Sequence, residues 1–145
     1  TGEAREIAHF FAAIGRDACR WRDRSMLPFC VIAGGETTVT LKGSGLGGRN
    51  QEMALSFIGD IKKSPKDAER VFFLSAGTDG NDGPTDAAGA FASLEICELG
   101  AVLGLDPDKY IAASDSYHYF EKTGGLLKTG PTGTNVCDIQ VLLVI

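Results

Sequence analysis

The chain has 145 residues, a formal net charge of −5 and a hydrophobic fraction of 43%, which are typical values for one globular domain. Its basic residues are scattered, which argues against a nucleic-acid partner, because a basic face is the usual footprint of such binding. No apolar run is long enough for a membrane span and no signal-peptide layout is present, so we expect a cytoplasmic protein. The chain begins at Thr1 rather than Met, which is compatible with a fragment.

Apolar periodicity predicts helices that alternate with strands. In chain order we expect a helix over 3–21, strands at 29–33 and 37–41, a helix over 49–61, a strand at 71–76, helices over 94–103 and 108–122, and strands at 126–128 and 139–145. The strand at 71–76 is almost uniformly apolar, which indicates a sheet covered on both faces. We therefore predict an α/β fold: a single three-layer domain with a mixed β-sheet and helices on both of its faces.

The four cysteines, Cys19, Cys30, Cys97 and Cys137, form no CxxC pair, and only two histidines are present. This spacing does not fit a zinc site. Each cysteine lies in or beside an apolar segment, which favours buried free thiols in a reducing compartment. A nucleophilic Cys137 beside Asp138 is the alternative.

A glycine-rich loop precedes the predicted helix at Arg49, with four glycines among residues 43–48. Glycine lets backbone N–H groups approach an anion closely, and a helix N-terminus adds unpaired donors and a positive dipole end. The guanidinium of Arg49 adds a fork suited to phosphate or carboxylate. The sequence therefore predicts an anion site here, and a flexible turn is the alternative.

Two further polar loops, at 77–86 and 129–135, follow or precede predicted strands. Ligands of open α/β sheets bind where such loops cluster beyond the strand ends. Asp79 and Asp86 are candidate Mg²⁺ ligands, whereas turn chemistry is the alternative for Asp82 and a helix cap for Asp86. His118 is a candidate general base or a structural histidine beside aromatic residues.

Five motifs in this order are more specific than any one loop. They are Gly34-Gly35-Glu36-Thr37-Thr38-Val39, Gly47-Gly48-Arg49-Asn50-Gln51-Glu52, Ser75-Ala76-Gly77-Thr78-Asp79-Gly80, Asp82-Gly83-Pro84-Thr85-Asp86-Ala87-Ala88-Gly89 and Thr129-Gly130-Pro131-Thr132-Gly133-Thr134-Asn135-Val136. The series resembles the C-terminal MOFRL domain of the glycerate 2-kinases, which are also labelled hydroxypyruvate reductases. The resemblance covers nearly the whole chain.

The resemblance implies ATP-dependent phosphoryl transfer to the 2-hydroxyl of D-glycerate, with Mg²⁺. It implies that residues 1–145 are the C-terminal domain of a two-domain enzyme, whose N-terminal Rossmann-like domain is missing here and carries a catalytic lysine. The site would lie in the cleft between the domains. We then expect no cofactor bound tightly to this domain alone and no kinase activity from it. A homo-oligomer is compatible with the sequence.

The resemblance assigns the catalytic arginine to Arg49. The resemblance and the loop chemistry together indicate further candidates for binding substrate or phosphate: Gly47, Gly48, Asn50, Thr78, Asp79, Thr132, Gly133, Thr134 and Asn135. The chain departs from the family pattern at Ser114 and Cys137, so no role is transferred there. Two alternatives remain. A hydroxypyruvate reductase is disfavoured, because no strand–GxGxxG–helix unit is present, and a non-catalytic module for organic anions would use the same loops.

Overall fold

The structure is a computed structural model that describes residues 2–20 and 24–145. Its elements, in chain order, are α1 (Ala4–Cys19), β1 (Phe29–Gly35), α2 (Arg49–Ile61), β2 (Val71–Gly77), β3 (Gly89–Ser93), α3 (Leu94–Val102), α4 (Pro107–Ala112), α5 (Ser116–Thr123), β4 (Leu126–Leu127) and β5 (Asp138–Val144), with short 3₁₀ turns at Arg24–Met26 and Pro65–Asp67. The predicted α/β class is confirmed. Across the described ranges, no helix is long and apolar enough to span a membrane.

The five strands form one sheet in the order β1-β5-β2-β3-β4, and every pairing is antiparallel. The expected mixed sheet is therefore wrong. The C-terminal strand β5 inserts between β1 and β2 and runs opposite to both, so that Asp138 pairs with Gly35 on one side and with Gly77 on the other. This register brings the chain segments around three strand ends to one edge of the sheet.

One face of the sheet carries the core. The ring of Phe73 on β2 stacks on Phe57 of α2 with a centroid distance of 4.6 Å, and it contacts Phe11 of α1 at 5.1 Å. Leu142 of β5 is fully buried on this same face. Both long helices therefore pack on one side, and α2, buried along nearly its whole length, lies at the centre of the domain.

The opposite face of the sheet is open. Ile32, Val141, Leu74 and Phe91 lie side by side across four strands, and the exposed fractions of Ile32 and Phe91 are 69% and 43%. The prediction of helices on both faces, and so of three layers, is wrong for the described residues. Apolar residues do alternate onto both faces of β2, but the helices within residues 2–20 and 24–145 pack on only one of them.

Local differences from the sequence prediction have local causes. Residues 37–41 form no strand and contribute one bridge, between Thr38 and Glu3. The strand β3 was missed because its Gly and Ala residues have low strand propensity. The predicted helix over 108–122 is divided at Ser114, whose φ is +53°. The predicted helix end at Trp21 and the Thr1 cap lie outside the described residues, and Cys30 and Cys137 are exposed rather than buried.

Candidate functional site

The three polar loops meet at one edge of the sheet. The second and third loops are joined by hydrogen bonds from the Thr132 backbone N–H to the Asp79 carbonyl, at 3.2 Å, and from the Thr132 hydroxyl to the Thr78 carbonyl, at 2.5 Å. The first and second loops are joined at Gly48, which lies directly against the Asp82 side chain. Loops that are distant in sequence thus form one continuous surface.

The N-terminus of α2 is capped by Asp82 of the second loop. Its Oδ1 accepts from the Asn50 backbone N–H at 3.1 Å, and its Oδ2 accepts from the Gln51 backbone N–H at 2.9 Å. The side-chain amides of the same two residues donate to the same carboxylate. Two of the expected unpaired donors at this helix start, the backbone N–H groups of Asn50 and Gln51, are therefore occupied by the protein's own carboxylate.

Asp82 is 2% exposed. Burial raises the pKa of this carboxyl above its ordinary value, and the N–H donors of Gln51 and Asn50 oppose that shift because they favour the charged form. The turn interpretation of Asp82 was incomplete, since its side chain connects two loops that are 32 positions apart. No periodicity signal in the sequence predicts a cap from so far along the chain.

The glycines of the first loop permit close packing of protein on protein. A Cβ on Gly48 would lie 2.4 Å from Cγ of Asp82, and one on Gly47 would lie 2.2 Å from Oγ of Ser116. Both distances are too short for a real side chain, so these positions require glycine. Gly47 and Gly48 nevertheless also line a pocket, together with Arg49.

Arg49 is held in place by an ion pair that the sequence did not predict. Its Nε and Nη2 donate to the two carboxylate oxygens of Asp138 at 2.7 and 2.9 Å, and Oε1 of Glu36 lies 3.4 Å from Nη1. The hydrogen bond to Asp138 raises the pKa of the guanidinium, so Arg49 stays charged. The side chain of Asp138 is fully buried, whereas that of Arg49 is 35% exposed.

Arg49 lines a pocket of about 410 Å³, here called the glycine-loop pocket. Gly47, Gly48, Asp79 and Pro84 also line it. An arginine has five N–H donors, and the bidentate pair with Asp138 uses two of them. Three N–H donors of Arg49 remain for Glu36 and for a carboxylate or phosphate in this pocket, while the side chain stays fixed.

Asn50 does not line the glycine-loop pocket. It is fully buried, its Oδ1 accepts from the Ser75 hydroxyl at 2.6 Å, and its amide donates to Asp82. Its predicted binding role is replaced by a structural one, because the second position of the helix faces the core. The residue joins the helix start to β2.

Thr78 and Asp79 follow β2 as the sequence predicted. The Thr78 hydroxyl donates to the Cys137 carbonyl at 2.6 Å and accepts from the Val136 backbone N–H at 2.8 Å. The Asp79 carboxylate accepts from the Asn81 backbone N–H at 3.0 Å. Thr78 thus connects the second loop to residues 136–137, which follow the third loop, whereas Asp79 lines the pocket surface.

The third loop is exposed throughout. Within it, the Thr134 backbone N–H reaches the Thr132 hydroxyl at 3.4 Å, Gly133 has a φ of +75°, and Asn135 accepts from the Cys137 backbone N–H at 3.1 Å. The amide of Asn135 also reaches Asp79 at 3.5 Å. The hydroxyl of Thr132 is engaged in the protein, so the loop offers mainly exposed backbone to a ligand.

A second pocket, of about 470 Å³, adjoins the first and shares Asp79 and Asn81 with it. Asp86 lines it and accepts hydrogen bonds from Tyr117 at 2.8 Å and from Lys128 at 2.9 Å. The hydrogen bond from Lys128, and to a lesser degree that from Tyr117, holds the pKa of Asp86 below its ordinary value. The predicted helix cap at Asp86 is wrong, because the strand β3 follows it.

The metal candidates do not form a ligand set. Asp86 is paired with a lysine, and the described residues contain no group of three or more His, Cys, Asp or Glu side chains placed to hold a metal ion. A protein-held magnesium does not fit these residues. Nδ1–H of His118 donates to Oδ1 of Asp115 at 2.6 Å at the start of α5, and His118 does not line either pocket.

The sequence comparison identifies the family. A family model described as the MOFRL family matches residues 29–138. The chain belongs to the MOFRL family. The matched range includes β1, all three loops and Asp138, so the candidate site lies almost wholly inside it.

Relatives of this MOFRL chain are named as glycerate kinases. A D-glycerate 2-kinase from Thermotoga maritima is 45% identical over 144 residues, which are 99% of this chain and 33% of the relative. A glycerate kinase from Homo sapiens is 48% identical over 120 residues, which are 81% of this chain and 23% of the relative. The chain therefore spans about a third or less of the length of these relatives.

Solved structures agree with the MOFRL assignment. A glycerate kinase from Thermotoga maritima matches with a TM-score of 0.89 and 44% identity, over 99% of this chain and 34% of that one. A protein from Pyrococcus horikoshii matches with a TM-score of 0.87 and 39% identity, over 99% of this chain and 32% of that one. The fold described here is therefore that of one part of larger proteins.

Proposed function

We propose that this chain is the C-terminal domain of an ATP-dependent glycerate 2-kinase that converts D-glycerate to 2-phosphoglycerate in the cytoplasm. An N-terminal Rossmann-like domain would complete the cleft. Named relatives about three times as long support this proposal. The observation that carries it within the chain is the fixed, charged and partly exposed guanidinium of Arg49 at the wall of the glycine-loop pocket.

The geometry suits a transfer that depends on positioning and charge. Phosphoryl transfer asks the protein mainly to orient the reacting groups and to neutralise developing negative charge. Asp138 holds the guanidinium plane of Arg49 bidentately, which removes most of its freedom before a ligand arrives. Arg49 would then bind the substrate carboxylate or the transferring phosphoryl group through its free N–H donors.

Negative charge surrounds this arginine. Glu36 and Asp138 contact it, and Asp79 lies on the same pocket wall. An anionic substrate alone would meet net repulsion there, so a cation that accompanies the nucleotide phosphates would be needed. We therefore include ATP with Mg²⁺ in the proposal, with the metal brought by the nucleotide rather than held by the chain.

The test is the steady-state kinetics of Arg49→Ala in the full-length enzyme. We expect kcat/KM for D-glycerate to fall by about 100-fold, as when one preorganised donor is lost. The variant leaves Asp138 buried without its partner, so its folding must be checked by circular dichroism. Arg20→Ala is the matched control, because Arg20 forms an aspartate pair with Asp67 that lines none of these pockets.

Near-normal kcat and KM in a folded Arg49→Ala enzyme would refute the role of Arg49. Phosphoryl transfer by the 145-residue chain alone would refute the divided site. NADH oxidation with hydroxypyruvate, in place of phosphoryl transfer, would support the reductase alternative. Tight binding of glycerate by the chain without turnover in the full-length enzyme would support the anion-binding module.

A further inference from the structure

A third cavity has a volume of about 210 Å³ and is here called the amide pocket. It is formed between the first half of α1 and the end of β1. Glu36 lines it and also lies 3.4 Å from Nη1 of Arg49, so the two pockets meet at this carboxylate. None of the predicted site residues lies in its wall.

The pocket wall contains two polar side chains that are buried, Gln140 and Thr37. Gln140 is 4% exposed and Thr37 is 8% exposed. Within residues 2–20 and 24–145, Nε2 of Gln140 and Oγ1 of Thr37 have no hydrogen-bond partner. Buried donors are nearly always paired, because leaving one unpaired costs free energy. Two such groups in the wall of one cavity indicate a ligand that supplies the partners.

Small residues leave the space in front of Gln140. Ala33 is its register partner on β1, and Gly35 lies two residues further along the same face of the strand. A Cβ on Gly35 would have no atom within 4 Å. The facing wall is apolar and aromatic, with Phe10 61% exposed and Phe11 buried.

This wall fits a planar, apolar-faced ligand with polar edges. A small hydroxy acid would leave its oxygens against Phe10 and Phe11 and would place its charge beside Glu36. A nucleobase has the required faces and edges, since aromatic side chains stack on bases and an amide N–H donates to a ring nitrogen or a carbonyl oxygen. A carboxylate beside such a site is suited to ribose hydroxyls.

We propose that the amide pocket binds the base of the nucleotide substrate, with Gln140 and Thr37 at its edge, Phe10 on its face and Glu36 at the ribose. This assignment rests on the proposed kinase function. A base held here directs its phosphates towards Arg49. Gln140 and Gly35 are therefore determinants of nucleotide binding.

The test uses adenosine as the probe, because it has no phosphates and needs no contribution from Arg49. Binding to the 145-residue chain is followed by calorimetry and by NMR shifts. We expect saturable binding that Gln140→Met weakens about tenfold, the loss of roughly one hydrogen bond. We expect Gly35→Val to abolish binding, because its side chain fills the pocket. Ile32→Ala is the control, because this residue of β1 faces the open side of the sheet and does not line the amide pocket.

A folding measurement separates binding from structure. Gln140→Met keeps the volume of the side chain and removes the unpaired donor, so we expect its urea midpoint to stay equal or to rise. A purely structural amide would make the midpoint fall. Absence of saturable adenosine binding, or equal binding by Gly35→Val, would overturn the proposal.

The two proposals can fail separately. Adenosine binding that depends on Gly35, together with an Arg49→Ala enzyme of normal activity, would support the base site and refute the role of Arg49. The base site alone would be refuted by three results together. The kinase activity would depend on Arg49, the 145-residue chain would not bind adenosine, and Gly35→Val would leave the KM for ATP unchanged.

Discussion

Replacing Asp82 with alanine tests how the candidate site is held together. The substitution leaves the backbone N–H groups of Asn50 and Gln51 without their acceptor in a buried position. Each unpaired buried donor costs about 1–3 kcal/mol, so the two together give about 2–6 kcal/mol. The native carboxylate is itself partly desolvated, as its raised pKa indicates. That cost offsets part of the loss, and we expect the free energy of unfolding to fall by about 3 kcal/mol.

The assay is urea unfolding of the chain followed by circular dichroism. Asp79→Ala is the matched control, because this aspartate is half-buried in the same loop and accepts from the backbone N–H of Asn81. We expect its loss to stay below about 1 kcal/mol. Asp82→Asn should remain close to Asp82→Ala, since the amide keeps one acceptor and turns an NH₂ group towards the donors. A loss for Asp82→Ala within about 0.5 kcal/mol of the control would refute the cap.

Two further predictions follow from the same surface. Gly48→Ala places a methyl group 2.4 Å from the Asp82 carboxylate, so we expect it to lower the free energy of unfolding measured in urea. In the Asp82→Ala background the same substitution should lower that free energy much less. Additive losses in the double variant would contradict the contact. Lys128→Met should raise the pKa of Asp86 towards its ordinary value in an NMR titration, whereas Lys122→Met, which contacts Tyr110 instead, should not. Because the paired Asp86 has a lowered pKa, the stability difference between parent and Lys128→Met should be present above the ordinary Asp pKa and disappear as the pH falls through the lowered one.

The sequence predicts the long elements well, because their signals are local. The periodicity that defines α2 and the apolar run of β2 both lie within a dozen residues, and the structure confirms both. The sheet order depends instead on β5, whose insertion between β1 and β2 joins residues about 110 and 67 positions apart in the register pairs. Strand direction could not be read from a uniform apolar run.

In the candidate site, too, the residues with local signals could be predicted and their distant partners could not. Arg49 and Asp79 were found from local loop chemistry, and both line the glycine-loop pocket. Their fixed partners were missed, since Asp138 is 89 positions from Arg49. A charged residue directly before the apolar C-terminal run was the available signal, because a carboxylate that enters a buried strand needs a partner. Gln140 is a polar residue inside that apolar run, and its side chain likewise needs a hydrogen-bond partner once it is buried.

The open face of the sheet has a thermodynamic consequence for measurements on the isolated chain. Ile32, Phe91 and their neighbours keep apolar surface in water after folding. Each square ångström of that surface that becomes covered contributes about 25 cal/mol and a negative heat-capacity change. If the remainder of a longer enzyme covers it, the isolated domain should melt below the temperature at which the same residues unfold in the whole protein. The difference would measure how far the fold depends on its surroundings.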